Sequence, residues 1–271
     1  MRATLARLFI YPVKSAAGIE CERVELGPQG FRHDREWMIV DAAGRFVTQR
    51  EEGRLALIST AIEAGRLHLT VPSGESAAVA VDHGGENVAV QVWSAHCSAF
   101  DAGREVSELL SGFLGRSLRL VRFDQSQQRL ADERWTAGQT VPTLFSDGYP
   151  LLVLSEGSIA DLATRVGHDL PVQRFRPNIL LGGVAPYAED AASILETGDA
   201  RLQLTKACTR CAITTLDHVT GQRTGAEPLA TLKSYRFDRD LRGVVFGRNA
   251  YALAGAGSIL TRGAPASIIA P

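Results

Sequence analysis

Cysteine is scarce in this chain: four residues in 271, Cys21, Cys97, Cys208 and Cys211. So few exclude a disulfide-built scaffold, which needs dense cross-linking to replace a small core. No run reaches the roughly 18 uncharged apolar residues of a membrane helix, so no membrane segment is expected. The apolar stretch from Leu8 to Val13 is too short for a secretion signal and has no small-residue cleavage site after it. A cytoplasmic protein without a targeting segment is the expectation. Neither sign of charge is in excess, with 29 basic and 30 acidic residues and a formal net charge of −1. Nucleic acid is therefore not an expected partner, because phosphate binding needs clustered positive charge. Lysine is rarer still: Lys14, Lys206 and Lys233 are the only three among the 29 basic residues. Arginine-rich coding bias accounts for that preference, yet it makes the position of each lysine worth noting.

What is present is enough apolar sequence for one large or two small domains: 45% apolar and 22% charged residues. Segments 3–13, 36–41, 45–50, 55–61, 66–71 and 87–93 read as short strands, separated by glycine-rich turns. The pair 36–41 and 45–50, joined through Gly44, predicts a hairpin. Val106, Leu109, Leu110 and Phe113 form one helical stripe that Gly115 should end. Ser155 suits the N-cap of a second helix lined by Ile159, Leu162 and Val166. Strand-like segments then recur at 179–181, 202–205, 212–216, 243–246 and 251–253. The polar, aperiodic stretch 124–140 is the candidate linker. The fold class expected is β-rich α+β, a barrel or sandwich with a few helices, divided into residues 1–123 and 124–271.

Four constellations carry candidate chemistry. In Lys206-Ala207-Cys208-Thr209-Arg210-Cys211 one cysteine pair stands without the second pair that a structural zinc site requires. A thioredoxin-like pair would open a helix, whereas Ala212-Ile213-Thr214-Thr215 reads as a strand. A single reactive thiolate beside Arg210, able to coordinate a soft metal, is the third reading. Two small buried hydrophobes are the fourth. Arg174 and Arg176, two apart on an expected extended segment ahead of Pro177, would face one way and grip a phosphate or carboxylate, with Asn178 on the same side. Lys14-Ser15, where the first strand breaks, suits an anion. A Schiff base from Lys14 to pyridoxal phosphate is the remote alternative there. Arg32-His33-Asp34-Arg35 reads either as a surface ion-pair cluster or as part of the same cationic set.

Taken together, Tyr11-Pro12-Val13-Lys14-Ser15, Asp34-Arg35, Phe175-Arg176-Pro177-Asn178 and Cys208-x-Arg210-Cys211-x-x-Thr214-Thr215 resemble the MOSC proteins in motif and order. Glu227 to Arg236 and Phe246-Gly247 extend the match across nearly the whole chain. The resemblance is to the subgroup with an N-terminal MOSC β-barrel domain, here 1–123, followed by the MOSC domain, 124–271. That subgroup includes the mitochondrial amidoxime-reducing component and bacterial YcbX-like proteins.

The resemblance implies a molybdenum cofactor, Mo-molybdopterin, with Cys211 as catalytic residue and metal ligand. Lys14, Ser15, Arg35, Arg176 and Asn178 fall on positions that hold the pterin, with Thr209 and Arg210 beside the ligand. It further implies reduction of N-hydroxylated compounds, such as hydroxylamines, amidoximes and N-oxides, by oxygen-atom abstraction at molybdenum. No cysteines for a ferredoxin domain follow the match. Electrons are therefore expected from a separate donor: a ferredoxin, a flavin reductase or a b-type cytochrome system. The alternative from another class is a sulfur carrier or cofactor-delivery protein using a persulfide on Cys211 or Cys208. Two positions depart from the family pattern: Ala191-Ala192-Ser193 stands where a tryptophan is expected, and Tyr149 where a small polar residue is usual.

Overall fold

The computed structural model describes residues 1–270. Eleven strands and three helices carry the argument. The strands are β1 (Arg2–Ile10), β2 (Trp37–Asp41), β3 (Asn87–Val92), β4 (Ala95–Asp101), β5 (Leu118–Phe123) and β6 (Leu151–Ser155), then β7 (Ile179–Gly182), β8 (Ile194–Thr197), β9 (Ala200–Arg210), β10 (Gly243–Ala254) and β11 (Pro265–Ile269). The helices are α1 (Arg104–Leu114), α2 (Glu156–Val166) and α3 (Leu229–Tyr235).

Seven strands close a barrel in the order β6-β7-β1-β11-β8-β9-β10, with β10 pairing back onto β6. Only β6 and β7 run parallel, and α2 makes the crossover between them. Leu8, Val153, Ile179 and Leu181 point into the barrel core. Their neighbours Phe9, Leu154 and Leu180 point outward, beneath α2 and α3. Both faces of these strands are covered, so Leu151-Leu152-Val153-Leu154 and Ile179-Leu180-Leu181 are apolar throughout instead of alternating.

The other half is an open arrangement. β2-β5-β4-β3 form a four-stranded sheet, and a meander of Ser59–Glu63, Arg66–Thr70 and Ser76–Ala80 packs against it with α1. Trp37, Ile39, Leu67, Leu69, Val106 and Leu110 share that core. Both main helices follow their sequence signals. Gly115 ends α1 in the left-handed conformation at φ 73°, and the Ser155 hydroxyl accepts the Ser158 amide at 3.1 Å to cap α2. The proposed division at 123/124 lies just after β5. Nevertheless β1, from the first segment, pairs with β7 and β11 of the second and completes its barrel.

Three local expectations are corrected. Residues 45–50 are not a strand. Single bridges at Phe46 and Arg45 lead into a turn in which the Glu51 and Glu52 amides donate to the Thr48 carbonyl. Ala212–Thr215 is a 3-10 turn: the Thr214 and Thr215 hydroxyls donate back to the carbonyls of Cys211 and Ala212, an alternative to the β ladder. Arg174 and Arg176 do not share an extended segment either. Arg174 ends the 3-10 turn Val172–Arg174, and Arg176 takes φ 53° before Pro177, which forbids helix there.

A buried polar group ties β2 to β5. Glu36 accepts from Arg122 Nε at 2.7 Å and lies 2.9 Å from His33 Nδ1. Burial pushes its carboxyl upward, but these bonds and the Arg122 charge outweigh burial and hold it below the ordinary 4.5. A carboxylate favoured in the fold stabilises above its unfolded value and loses that contribution as the pH falls through the folded one. The urea midpoint of the wild type is therefore expected to fall more steeply between about pH 5 and about pH 3 than that of Glu36→Gln. Parallel profiles would show that the Glu36 cluster does not set acid stability.

Candidate functional site

A cleft of about 280 Å³ lies where the 14–15, 48–50, 146–149 and 174–176 turns meet the end of β9 and the turn after it. All eight residues singled out from the sequence line it: Lys14, Ser15, Arg35, Arg176, Asn178, Thr209, Arg210 and Cys211. Among the described residues, four of the nine non-glycine residues with positive φ are on its wall, Ser15, Arg35, Trp93 and Arg176. Such backbone costs energy and persists where surrounding packing over-determines it. Here it turns a hydroxyl, two guanidiniums and an indole into one space.

Tyr11 organises the arginines. Its buried ring is in contact with the guanidiniums of both Arg35 and Arg176, whose central carbons are 4.4 and 4.2 Å from the ring centroid. Its hydroxyl donates to the Pro177 carbonyl at 3.1 Å. Arg35 donates to Asp34 at 2.5 Å, to Asn178 Oδ1 at 2.9 Å and to the Arg176 carbonyl at 3.2 Å. Burial first, and Arg35 second, bring the Arg176 guanidinium down to about 10. Arg176 also donates to the Ala16 carbonyl at 2.6 Å.

Asn178 is 1% exposed and its amide is used up internally. Oδ1 accepts from the Leu152 amide at 3.1 Å as well as from Arg35, and Nδ2 donates to the Phe9 carbonyl at 3.2 Å. It therefore braces β1, β6 and Arg35 at the cleft wall.

Seven cations line the cleft, Lys14, Arg35, Arg50, Arg174, Arg176, Lys206 and Arg210, against one carboxylate, Asp147. In a chain of net charge −1 this is a strong local field. Two buried N–H groups have no acceptor, Arg174 Nε and Arg210 Nη2. Such groups are normally satisfied, so these two are open to an acceptor brought into the cleft, as buried Gln49 Oε1 on the same wall is open to a donor. Lys14 donates to Asp147 Oδ1 at 2.5 Å and to the Phe145 carbonyl at 2.8 Å. Burial lowers the Lys14 ammonium against the opposing pull of Asp147. The Asp147 side chain is open to solvent, and Lys14, Arg50 and the Trp93 N–H together hold its carboxyl well below the usual carboxylate range. Behind the turn, half-buried Arg129 donates to the carbonyls of Leu144 and Ser146, both at 2.7 Å.

The cysteines are both free and both reach the cleft. Burial pushes the Cys208 thiol up, with Arg210 opposing. Cys211 directly follows β9, at the start of the 3-10 turn, and receives Arg50 Nε at 3.4 Å. Among the described residues there is no cluster of three or more His, Cys, Asp or Glu side chains able to hold a metal. A metal at Cys211 would thus take most of its ligands from a non-protein group.

Two family models match the chain: the MOSC N-terminal beta barrel domain over residues 2–117 and the MOSC domain over 140–263. Mitochondrial amidoxime-reducing component 1 of Mus musculus is 34% identical over 254 residues, covering 90% of this chain and 75% of that protein. The chain belongs to the MOSC proteins. Mitochondrial amidoxime-reducing component 1 of Homo sapiens is 35% identical, covering 86% of this chain and 72% of its own length. A molybdenum cofactor sulfurase of Danio rerio is 34% identical over 89% of this chain, but only 31% of that longer protein is matched. Among the described residues of this MOSC chain, no helix is long and apolar enough to cross a membrane.

The MOSC cleft also contains residues that sequence reading passed over. Arg50 was hidden in a stretch that reads as strand, and Trp93 at the end of another. Asp147 sits in a polar turn with no periodicity. No signal in the sequence brings these three together. Arg50 lies 173 residues from Arg223, whose Nη2 donates to the Arg50 carbonyl at 2.7 Å and steadies its turn.

Proposed function

We propose that this chain is a molybdenum-dependent oxidoreductase that reduces N-hydroxylated compounds. The observation that carries the reading is the meeting of an accessible soft thiol, Cys211, with seven cations and two acceptor-less arginine N–H groups in one cleft. That donor set fits Mo-molybdopterin, which joins a soft metal to an anionic phosphate tail. The names of the amidoxime-reducing relatives support the same direction.

In this reading Cys211 is the protein's ligand to molybdenum. Lys14, Ser15, Arg35, Arg176, Thr209 and Arg210 hold the pterin and its phosphate, Arg174 adding its free Nε. Asn178 acts behind them by fixing Arg35. When bound, the cofactor supplies a two-electron reductant for an N–O bond. The overall change is an N–OH compound plus two electrons and two protons giving the N–H compound and water. The protein's own part is to bury and neutralise the anionic tail, orient the metal and admit a small molecule beside Arg50 and Trp93. Arg50 Nε–H, directed at the sulfur, lowers electron density on the thiolate ligand. A separate donor protein, of ferredoxin, flavin reductase or b-type cytochrome kind, supplies the electrons.

The test is elemental analysis of protein from a cofactor-competent host, together with reduction of benzamidoxime by reduced methyl viologen. About one molybdenum per chain with turnover supports the proposal. A second reading, sulfur carriage or cofactor delivery, draws on the partial match to the sulfurase and on Cys208 sharing the cleft. It is favoured if the protein shows no turnover but gains sulfur on a cysteine after exposure to a persulfide donor.

A further inference from the structure

An anionic occupant accounts for the cations of the cleft wall but not for one buried acceptor. Gln49 lines the cleft and is 2% exposed. Its Nε2 donates to the Ser15 carbonyl at 2.7 Å. A carbonyl only accepts, so this bond fixes which end of the amide faces Ser15 and leaves Oε1 as the free end. Oε1 is buried and receives no donor. Both partners in the bond are held. Thr48, beside Gln49, accepts the Arg50 amide on its hydroxyl at 3.1 Å and the Glu51 and Glu52 amides on its carbonyl. Ser15 stands at φ 70°, and the next carbonyl, that of Ala16, accepts Arg176.

Among the described residues, the other buried, partner-less side-chain atoms on this wall are the two arginine N–H groups and the Ser146 hydroxyl. A hydroxyl can donate or accept, so Gln49 Oε1 is the one atom of the set that can only accept. A phosphate tail does not satisfy it, because phosphate oxygens also accept and would repel it. A pterin ring has N–H groups along its edge. A passing substrate would pair with Oε1 only during turnover, whereas a resident group does so throughout, as buried acceptors normally require. We propose that Gln49 Oε1 accepts an N–H of the pterin ring and so fixes which end of the cofactor lies against the Ser15 turn. The inference rests on the molybdopterin reading of the cleft for its ligand and on the Gln49–Ser15 bond for its direction.

Two variants separate this role from mere support of Ser15. Gln49→Met removes both the donor and the acceptor, whereas Gln49→Glu removes the donor to Ser15 and keeps an acceptor. Each is purified from a cofactor-competent host and followed through timed gel filtration. Retained pterin is read by fluorescence after oxidation, molybdenum by mass spectrometry and folding by Tm. Gln49→Met is expected to lose pterin and molybdenum together about tenfold faster than wild type, as for one lost buried hydrogen bond. Gln49→Glu is expected to lose them at a rate nearer to wild type than to Gln49→Met. A fall in Tm shared by both variants reports the Ser15 bond, and only the difference between them reports Oε1. Equal loss from the two variants overturns the proposal. Retention by Gln49→Met at the wild-type rate also overturns it and leaves the molybdopterin reading intact. Wild-type protein without pterin retires that reading and this assignment with it.

Discussion

Cys211→Ala is expected to lower benzamidoxime reduction by more than about a hundredfold and to bring molybdenum per chain close to zero. Loss of a group that merely supports a metal ligand costs about 10- to 100-fold, and Cys211 would be the ligand itself. Its sulfur is the one that Arg50 Nε reaches, and no three-residue metal cluster stands among the described residues to replace it. The cationic wall would persist in the variant, so the pterin phosphate would keep part of its binding energy and the metal would lose its anchor. Cys208→Ala separates the chemistries. Its thiol is raised by burial, and its removal is expected to change turnover only a few fold in a reductase. In a persulfide carrier that uses Cys208, the same change would abolish sulfur loading. An active, molybdenum-loaded Cys211→Ala protein would end the assignment.

Asn178→Leu is expected to destabilise the fold by about 3 kcal/mol, roughly a 10 °C fall in Tm for a chain of this size. The substitution nearly preserves volume and deletes three side-chain hydrogen bonds at a site 1% exposed. The Leu152 amide loses its side-chain acceptor and the Phe9 carbonyl loses a donor. Each buried polar group left without a partner costs about 1–3 kcal/mol. Arg35 loses one of its three acceptors, so its guanidinium is no longer fixed against Tyr11 and molybdenum retention should fall as well. Differential scanning calorimetry and metal analysis on one preparation measure both effects. An unchanged Tm would show that the amide is not the brace its contacts describe. Unchanged Tm with lost molybdenum would make Asn178 a direct cofactor contact instead.

Four strands of the barrel, β1, β7, β9 and β10, were legible as apolar segments, whereas β6, β8 and β11 were not read as strands. Leu180 and Leu181 face opposite sides, yet both are buried, and the resulting unbroken apolar run stands out in sequence. Helices α1 and α2 were legible from Gly115 and Ser155, whose backbone roles belong to the residue itself, whereas α3 was not read from the sequence. The three errors share one cause. At 45–50, 174–178 and 212–216, side chains suited to strands follow local turn bonds instead: Thr48, Thr214 and Thr215 close turns, and Pro177 confines Arg176.

Residue type by itself determined the chemistry on offer: one pair of free thiols, two of three lysines beside polar motifs, and arginines at 35, 174, 176 and 210. It also determined the apolar segments that had to be buried. Only the tertiary structure decided that Arg50, Trp93 and Asp147 join that set, and that Asn178 turns inward while Cys211 stays accessible. It also decided that β1 leaves the first half to close the second half's barrel. The reason is distance along the chain: Arg50 and Cys211 are 161 residues apart, and local propensity contains no information about a contact made by closing seven strands into a ring.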